Sequence, residues 1–326
     1  MKWKFYSLAF VAGMSILTAC SSDDNNDNDG NGGNGNGNEI ENGTILKGTI
    51  TSDVTLAAGN TYKLSGEYIV EEGATLHIEE GVKIIAVYDD IADYILVKQG
   101  GKINAVGTPD KPIVMTSEKE EPGAWGGIHI CGRAHTNAEG GKGSSEIGGA
   151  VYGGNDDADN SGTLQYIRLE YTGFAFDEEH EANGISFYGV GNGTIVDHCQ
   201  AYKGSDDGFE FFGGSVNVSN LVAVSCSDDS FDWTEGWNGK GTNLVAYQED
   251  KSTLGYDCDC LMECDNNGSN NAATPVAHPV LKNLILVGNG GSKQGIRLRA
   301  GTEVEIDNAK AVSYTHLRAH ETGAYL

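Results

Sequence analysis

The stretch GSDDGFEFFGGS at residues 204–215 decides the fold, because a close variant of it returns as SDDSFDWTEGWNG at residues 227–239. Both copies contain two adjacent Asp residues, a small residue, Phe and a third acid, and they lie 22 residues apart. Self-similarity at a period of about 20 to 50 residues is the signature of stacked repeat architectures. The sequence therefore predicts that the acids of the two copies become neighbours on one face of the protein.

Short apolar runs that suit β-strands surround this pair and continue along the chain. LQYIRLEY, VSNLVAVS and LKNLILVG are examples, and no helical pattern interrupts them. An alignment of the runs places five residues in one column, at intervals of 24, 22, 31 and 34 residues: Ser186, Glu210, Asp232, Glu263 and Arg297. A base turn of about 22 to 24 residues with loop insertions suits a parallel β-helix. We therefore expect an all-β solenoid over residues 44–311.

The stacked copies also predict a strip of carboxylates along the solenoid. Its acids come from the two copies, and its basic end comes from a later coil: Asp206, Asp207, Glu210, Asp228, Asp229, Asp232, Lys293 and Arg297. Like charges about 5 Å apart repel one another, so the stack needs compensation. Three kinds stay open, namely Ca²⁺ bound by carboxylate oxygens, hydrogen bonds from turn N–H groups, or protonation for acid–base chemistry.

The charge of the chain restricts its partners. The formal net charge is −26, so nucleic acid is not an expected partner, because phosphate binding requires a surplus of Lys and Arg. An acidic polysaccharide would also be repelled unless a divalent cation bridges the two.

The N-terminal segment indicates export and a lipid anchor. Residues 1–19 have a charged start and an apolar stretch too short to span a bilayer, as in a signal peptide. The sequence Leu17-Thr18-Ala19-Cys20 resembles the bacterial lipoprotein box, which implies cleavage before Cys20 and acylation of this residue. Residues 20–43 are rich in Asn, Gly and Asp, and they predict a flexible tether between the lipid and the domain.

The C-terminal segment fits no pattern upstream. Residues 312–326 read VSYTHLRAHETGAYL, and they resemble the translated sequencing-adapter tails of many metagenomic gene models. We therefore expect the natural sequence to end near Ala311 and the β-helix to be truncated there.

A family resemblance adds chemistry to the acid strip. Asp206-Asp207-Gly208-Phe209-Glu210 resembles the Asp-Asp-Gly-aromatic-Asp motif of family nine pectate lyases, and Gly295-Ile296-Arg297-Leu298 resembles their Gly-aromatic-Lys-Leu segment. The resemblance implies a right-handed parallel β-helix, Ca²⁺ held by Asp206, Asp207 and Glu210, and Arg297 as the base, with Lys293 beside it. It also implies a second cation site at Asp228, Asp229 and Asp232. Glu and Arg stand where that family has Asp and Lys.

Beyond these motifs, the chain resembles the β-helix lipoproteins of Bacteroidetes in phrases such as GAWGGIHICG and ECDNNGSNNAATP. Acidic residues directly after Cys20 resemble the surface-export signal of that group. The resemblance implies a protein that is lipid-anchored in the outer membrane and exposed at the cell surface, with a periplasmic position as the alternative.

Aromatic and sulfur-containing residues supply further candidates. Trp233 and Trp237 lie beside the acid strip, and they predict either a platform for sugar rings or packing at a coil corner. Cys258, Cys260 and Cys264 form a C-x-C-x3-C pattern. An oxidising compartment favours a local disulfide, and Cys226 could reach Cys258 if the coils are in that register. A zinc site lacks a fourth ligand, and free thiols are a further alternative.

Together these features predict a cell-surface lipoprotein whose β-helix binds a polysaccharide with the help of Ca²⁺. Cleavage by calcium-dependent β-elimination is the finer hypothesis. The alternative is a non-enzymatic adhesin or structural surface protein in which the acids only stabilise turns.

Overall fold

The structure is a computed structural model that describes residues 38–89, 91–177, 180–291, 293–313 and 318–319. The predicted signal peptide, Cys20 and nearly all of the tether lie outside the described residues. All the described residues belong to one compact unit. Within them, no helix has the length and apolar character that a membrane crossing needs.

Short strands account for almost all of the regular structure. The described residues form 25 strands. In chain order these are β1 (Asn38–Glu39), β2 (Ile45–Ile50), β3 (Val54–Leu56), β4 (Thr61–Val70), β5 (Thr75–Ile78), β6 (Lys83–Ala86), β7 (Tyr94–Val97), β8 (Lys102–Val106), β9 (Ile113–Ser117), β10 (Ile128–Cys131), β11 (Gly143–Ser144), β12 (Val151–Tyr152), β13 (Gly162–Glu170), β14 (Ile185–Tyr188), β15 (Ile195–Tyr202), β16 (Phe209–Phe212), β17 (Asn217–Ser219), β18 (Val222–Val224), β19 (Phe231–Thr234), β20 (Lys240–Tyr247), β21 (Met262–Asp265), β22 (Val280–Val287), β23 (Arg297–Arg299), β24 (Glu305–Val312) and β25 (Arg318–Ala319). A single helical turn, α1 (Lys251–Leu254), and a 3-10 turn at Glu139–Gly141 complete the described elements.

The strands stack in three parallel ladders. The first ladder runs through β1, β3, β5, β8, β13, β15, β17, β20, β22 and β24. The second runs through β2, β4, β6, β9, β13, β15, β18, β20, β22 and β24. The third runs through β2, β4, β7, β10, β14, β16, β19, β21, β23 and β25. The chain is thus a right-handed parallel β-helix, as the sequence predicted.

Long strands serve two ladders because each bends once. The residue at the bend has a positive φ, of 57° at Asn243 and 58° at Asn283. Asn tolerates this left-handed conformation better than most residues. Its amide also joins the coils, since Asn283 Nδ2 donates to Asn243 Oδ1 and Asn243 Nδ2 donates to Asn220 Oδ1, each at 2.9 Å. The same chain of amides continues to Asn308.

Stacked side chains fill the interior. In the third ladder, alternate residues point inward, and the rings of Phe209 and Phe231 lie parallel with their centroids 5.5 Å apart. Phe187 and Phe211 stack in the same way at 5.0 Å. Equivalent residues of successive coils therefore bury each other, as a solenoid requires.

A second apolar cluster covers part of the outer face of the third ladder. The loop that contains β11 and β12 brings Ile147 and Tyr152 against Leu96, Tyr188 and Phe212. The face next to this loop carries the acid strip.

Candidate functional site

The predicted column of residues exists in the structure. Backbone pairing in the third ladder sets Ser186 beside Glu210, Glu210 beside Asp232, and Asp232 beside Glu263. Arg297 follows Glu263 on the next coil. These side chains alternate with the buried residues of their strands and therefore lie on the outer face. The register that the sequence predicted for this column is confirmed.

The turn before each of these strands adds a second row of acids. Asp207 Oδ1 accepts a hydrogen bond from the backbone N–H of Asp229 at 2.9 Å. One coil earlier, Asn183 Oδ1 accepts from the N–H of Asp207 at 3.2 Å. Each turn is thus held by the side chain of the turn below it. This contact fixes the positions of Asp207 and Asp229.

Asp207 takes part in both of the all-carboxylate sets that could hold a cation. Within each set one ligand atom per residue lies within 4.8 Å of the others. Among the described residues the two sets are Asp206–Asp207–Asp228 and Asp207–Glu210–Asp232.

Both sets mix residues of two coils, whereas the sequence grouped Asp206–Asp207–Glu210 and Asp228–Asp229–Asp232 within single coils. Stacking brings acids of adjacent coils together, and Asp229 also forms a group with Asp259 and Cys260. Cation binding by these residues stays a prediction.

Burial and mutual repulsion raise the pKa values of these carboxyls. Burial is the main cause that raises the pKa of Asp206 to about 8, followed by the charge of Asp228. The pKa values of Asp207, Glu210 and Asp232 lie well above the ordinary range, again mainly through burial. Four like-charged groups in so small a volume cannot all ionise without a compensating charge.

Two carboxylate oxygens of the acid strip are buried and have no hydrogen-bond partner within the described residues. They are Asp229 Oδ1 and Asp232 Oδ1. A buried polar atom without a partner is costly, so each indicates a missing ligand or donor. Carboxylate oxygens are the ligands that hard cations prefer, and Ca²⁺ accepts six to eight of them in flexible geometry. The residues of the two carboxylate sets therefore fit Ca²⁺.

The basic end of the strip is engaged in ion pairs. Lys293 Nζ lies 2.5 Å from Asp259 Oδ2, and Arg297 Nη1 lies 2.5 Å from Glu263 Oε1. Arg299 also contacts Glu263, at 2.6 Å. The structure thus places Lys293 and Arg297 as counter-ions of neighbouring acids, and the catalytic role suggested for them stays a prediction.

The sugar platform predicted at Trp233 and Trp237 is wrong. Both side chains are only 1% exposed, so neither can offer a ring face to a ligand. Trp233 points inward because it alternates with Asp232, and its Nε1 donates to Thr302 Oγ1 at 2.8 Å. Trp237 stacks on Phe211 with the ring centroids 4.1 Å apart. The bulk of the two indoles fills the solenoid.

The cysteines do not form the predicted disulfide. Cys226, Cys258, Cys260 and Cys264 are free and buried. Cys264 belongs to the hydrophobic core, because it lies on the inward side of β21. The C-x-C-x3-C pattern therefore does not bring its three sulfurs to one site.

Sequence reasoning missed Asn183, Glu146 and Glu181 as members of the site. Asn183 Nδ2 donates to Glu210 Oε2 at 2.5 Å and to Ser186 Oγ at 3.0 Å. The charges of Glu146 and Glu181 contribute to the raised pKa of Asp206. Asn183 precedes Ser186 at the spacing of Asp207 from Glu210, and this match was the available signal. The two Glu residues lie in loops, for which the repeat gives no position.

A polar groove of about 650 Å³ lies on the same outer face as the strip. Thr234, which forms part of its floor, is two residues beyond Asp232 on β19, a distance of about 7 Å along a strand. Two loops supply its walls, and most of the lining groups are amides, hydroxyls and carboxylates: Asn137, Glu139, Glu235, Asn267, Ser269 and Asn270.

Hydrogen bonds fix the groups of this groove. Asn137 Nδ2 donates to Asn266 Oδ1 at 2.8 Å, and Asn267 Nδ2 donates to Asn137 Oδ1 at 3.0 Å. Glu235 Oε2 accepts from Thr136 Oγ1 and from the Tyr152 hydroxyl, each at 2.7 Å. A groove whose polar groups are already oriented loses little entropy when a polar ligand binds.

A match to a protein-family model agrees with this fold. A family model described as a pectate-lyase like beta helix domain matches residues 48–319. No curated protein matches the sequence. Among solved structures, the Dettilon tailspike protein is similar at 8% identity and a TM-score of 0.24, over 79% of this chain. The chain spans 61% of the length of that protein.

Proposed function

Since the chain belongs to the pectate-lyase-like β-helix domain family, we propose that it binds a polysaccharide along the outer face of the third ladder, with Ca²⁺ at the acid strip. A β-helix of this family fits the binding or processing of polysaccharides. Its flank is long and regular, which suits a polymer of repeating units.

One observation carries the proposal. A cluster of buried carboxylates with an unpartnered oxygen at Asp232 lies about two strand residues from an open groove of oriented amides and hydroxyls. The groove offers the hydrogen-bonding groups that sugar hydroxyls need. The cluster offers a charge that a cation must balance.

Calcium would be held by the two carboxylate sets, in which Asp207 takes part twice. When bound, the ion supplies positive charge that attracts an acidic sugar and polarises its carboxylate. Without it, an anionic polymer meets a chain whose net charge is −26.

β-Elimination is the finer part of the proposal. Arg297 would take the proton α to a uronate carboxylate only after its ion pair with Glu263 opens and its guanidinium gives up a proton to solvent. Lys293 would likewise have to leave Asp259 and lose a proton. Substrate carboxylates that compete for the two side chains would open both ion pairs, since the substrate then replaces the protein partner.

The non-enzymatic alternative has an observation of its own. Asp207 bonds a backbone N–H of the next turn, so at least this acid stabilises a turn. In an adhesin or structural surface protein the whole strip would do only this. For either function we propose a lipid anchor at Cys20 and exposure at the outer membrane surface, and the support is the lipoprotein-like sequence at Leu17–Cys20.

Glycan-array binding and a lyase assay, each with Ca²⁺ and with EDTA, test the proposal. We expect binding with Ca²⁺, loss of it with EDTA, and loss of it in Asp232→Asn. Asp307→Asn is the matched control, because Asp307 is an exposed acid on β24 in the first ladder. Absence of binding to every glycan contradicts the polysaccharide proposal. Binding that EDTA leaves unchanged contradicts the calcium part alone.

A further inference from the structure

A third group of potential metal ligands differs chemically from the two carboxylate sets. Asp229, Asp259 and Cys260 each offer one ligand atom, and these atoms lie within 4.8 Å of one another. Cys260 Sγ is 3.3 Å from Asp259 Oδ1 and 3.7 Å from Gln294 Oε1. The group thus joins one sulfur to carboxylate and amide oxygens.

Stacking explains why a thiol lies here. The turn residues Asn183, Asp207 and Asp229 follow one another on successive coils, and the next coil places Cys260 in that row, since Ser230 N–H donates to Cys260 O. Asp259 lies over Asp228 in the adjacent row, where its N–H donates to Asp228 O at 3.2 Å. The acid row therefore ends in a thiol that faces the last of its carboxylates.

An independent feature points to a ligand in this group. Asp229 is 4% exposed, and its Oδ1 has no hydrogen-bond partner within the described residues. Its backbone N–H is bonded to Asp207, so the side chain is held in place with one oxygen unsatisfied. Cys260 is free and fully buried, which excludes a disulfide as the role of its sulfur.

We propose that Asp229, Asp259 and Cys260 form a binding site for a borderline divalent cation of the zinc class, separate from the calcium sets. The cation binds the thiolate of Cys260 and one oxygen from each Asp, and Gln294 Oε1, 3.7 Å from Cys260 Sγ, is available as a fourth ligand. Four ligands that include a thiolate suit Zn²⁺, whereas Ca²⁺ requires six to eight oxygens. The site therefore discriminates between the two cations by its sulfur.

The charges of the site balance. Binding releases the thiol proton of Cys260 to solvent, together with any proton on Asp229, whose pKa is raised well above its ordinary value by burial. The cation then meets one thiolate and two carboxylates. The sum of +2 and −3 leaves one negative charge. Lys293, whose Nζ lies 2.5 Å from Asp259 Oδ2, supplies the compensating positive charge.

Cobalt is a suitable probe, because its thiolate complexes absorb in the near ultraviolet. The full chain, freed of metal and kept reduced without thiols, is titrated with Co²⁺. We expect a thiolate-to-cobalt band that saturates at one equivalent, release of at least one proton per ion, displacement by Zn²⁺ and no displacement by excess Ca²⁺. Absence of the band in the unmodified protein overturns the proposal.

Two cysteine variants show which sulfur gives rise to the cobalt band. Cys260→Ser should abolish the band, and Cys264→Ser should keep it, because Cys264 is an equally buried thiol four residues away whose side chain belongs to the core. Persistence of the band in Cys260→Ser overturns the proposal. If Cys260→Ser does not fold, Asp229→Asn decides instead, since it retains the thiol and should weaken Co²⁺ binding about tenfold or more. Unchanged affinity in Asp229→Asn likewise overturns it.

Discussion

Glu263 and Arg297 lie side by side on adjacent coils, with Oε1 of the carboxylate 2.5 Å from Nη1 of the guanidinium. Burial raises the pKa of Glu263, and the charges of Arg299 and Arg297 oppose this rise. Along the column, the side chains are acidic from Glu210 to Glu263 and become basic at Arg297. It is the point at which a carboxylate of the column has a permanent cation of the protein as its neighbour.

Arg297→Gln should destabilise the protein by about 1–2 kcal/mol at neutral pH, because it removes one of the two guanidiniums that balance Glu263. The loss is smaller than for an isolated buried pair, since Arg299 remains. The free energy of unfolding in denaturant measures it. In a double-mutant cycle, Glu263→Gln combined with Arg297→Gln should cost clearly less than the sum of the single changes. Additive effects contradict this interpretation.

In EDTA, the melting temperature should fall as the pH rises from about 5 to about 9. The pKa of Asp206 is about 8 in the fold, against an ordinary value of 3.8 for an Asp side chain, so its protonated form is favoured by folding. That contribution is fully present below about pH 4 and is lost as the pH rises through about 8.

Thermal scans across this pH range provide the measurement. Ca²⁺ should flatten the curve, because it stabilises the ionised carboxylates. Asp206→Asn should give a shallower curve in EDTA, whereas Asp307→Asn should not change it. A melting temperature that rises with pH in EDTA is incompatible with these raised pKa values.

Asn243→Ala should cost about 1–3 kcal/mol, because Asn243 has a φ of 57° and its amide bonds both neighbouring coils. Asn243→Gly is the matched control, since Gly accepts the positive φ but lacks the amide. We expect Gly to cost less than Ala, and denaturant unfolding measures both. Equal costs would show that the backbone conformation contributes nothing.

Trp233→Ala should destabilise the protein by about 3–5 kcal/mol, because it empties a fully buried position of the core. Trp233→Phe should cost less, since the ring is retained and only the bond to Thr302 is lost. Calorimetry gives the stabilities, and the glycan assay gives binding. Trp233→Phe should bind polysaccharide as well as the unmodified chain does. A large loss of affinity in a stable variant would instead support a direct role of Trp233 in sugar binding.

The fold followed from the sequence because a β-helix is a repeat. The interval between Glu210 and Asp232 gave the length of a coil, and the alternation around these residues gave the inward and outward faces. Trp233 obeys the same alternation, and its position next to Asp232 already implied that it points inward. From the sequence alone, this packing and a sugar platform stayed open as alternatives.

The candidate ligand sets could be predicted only in part from the sequence. The register of the column is a backbone property, which the repeat fixes, but the grouping of carboxylate oxygens depends on rotamers and on loops. Asp229 shares a group of potential ligands with Asp259 and Cys260, and no spacing rule indicates this. Glu146 reaches the site from an insertion whose path the repeat does not define.

The coils differ in length, but the pairing register of the third ladder is the same from coil to coil. Asp232, Glu263 and Arg297 are 31 and 34 residues apart, yet each lies opposite the next. The extra residues form loops, and one of these loops contributes Asn267–Asn270 to the wall of the groove. The rim of the groove can therefore diversify by insertion and deletion while the charged strip beside it keeps its alignment, which makes this loop a suitable place to graft new specificity.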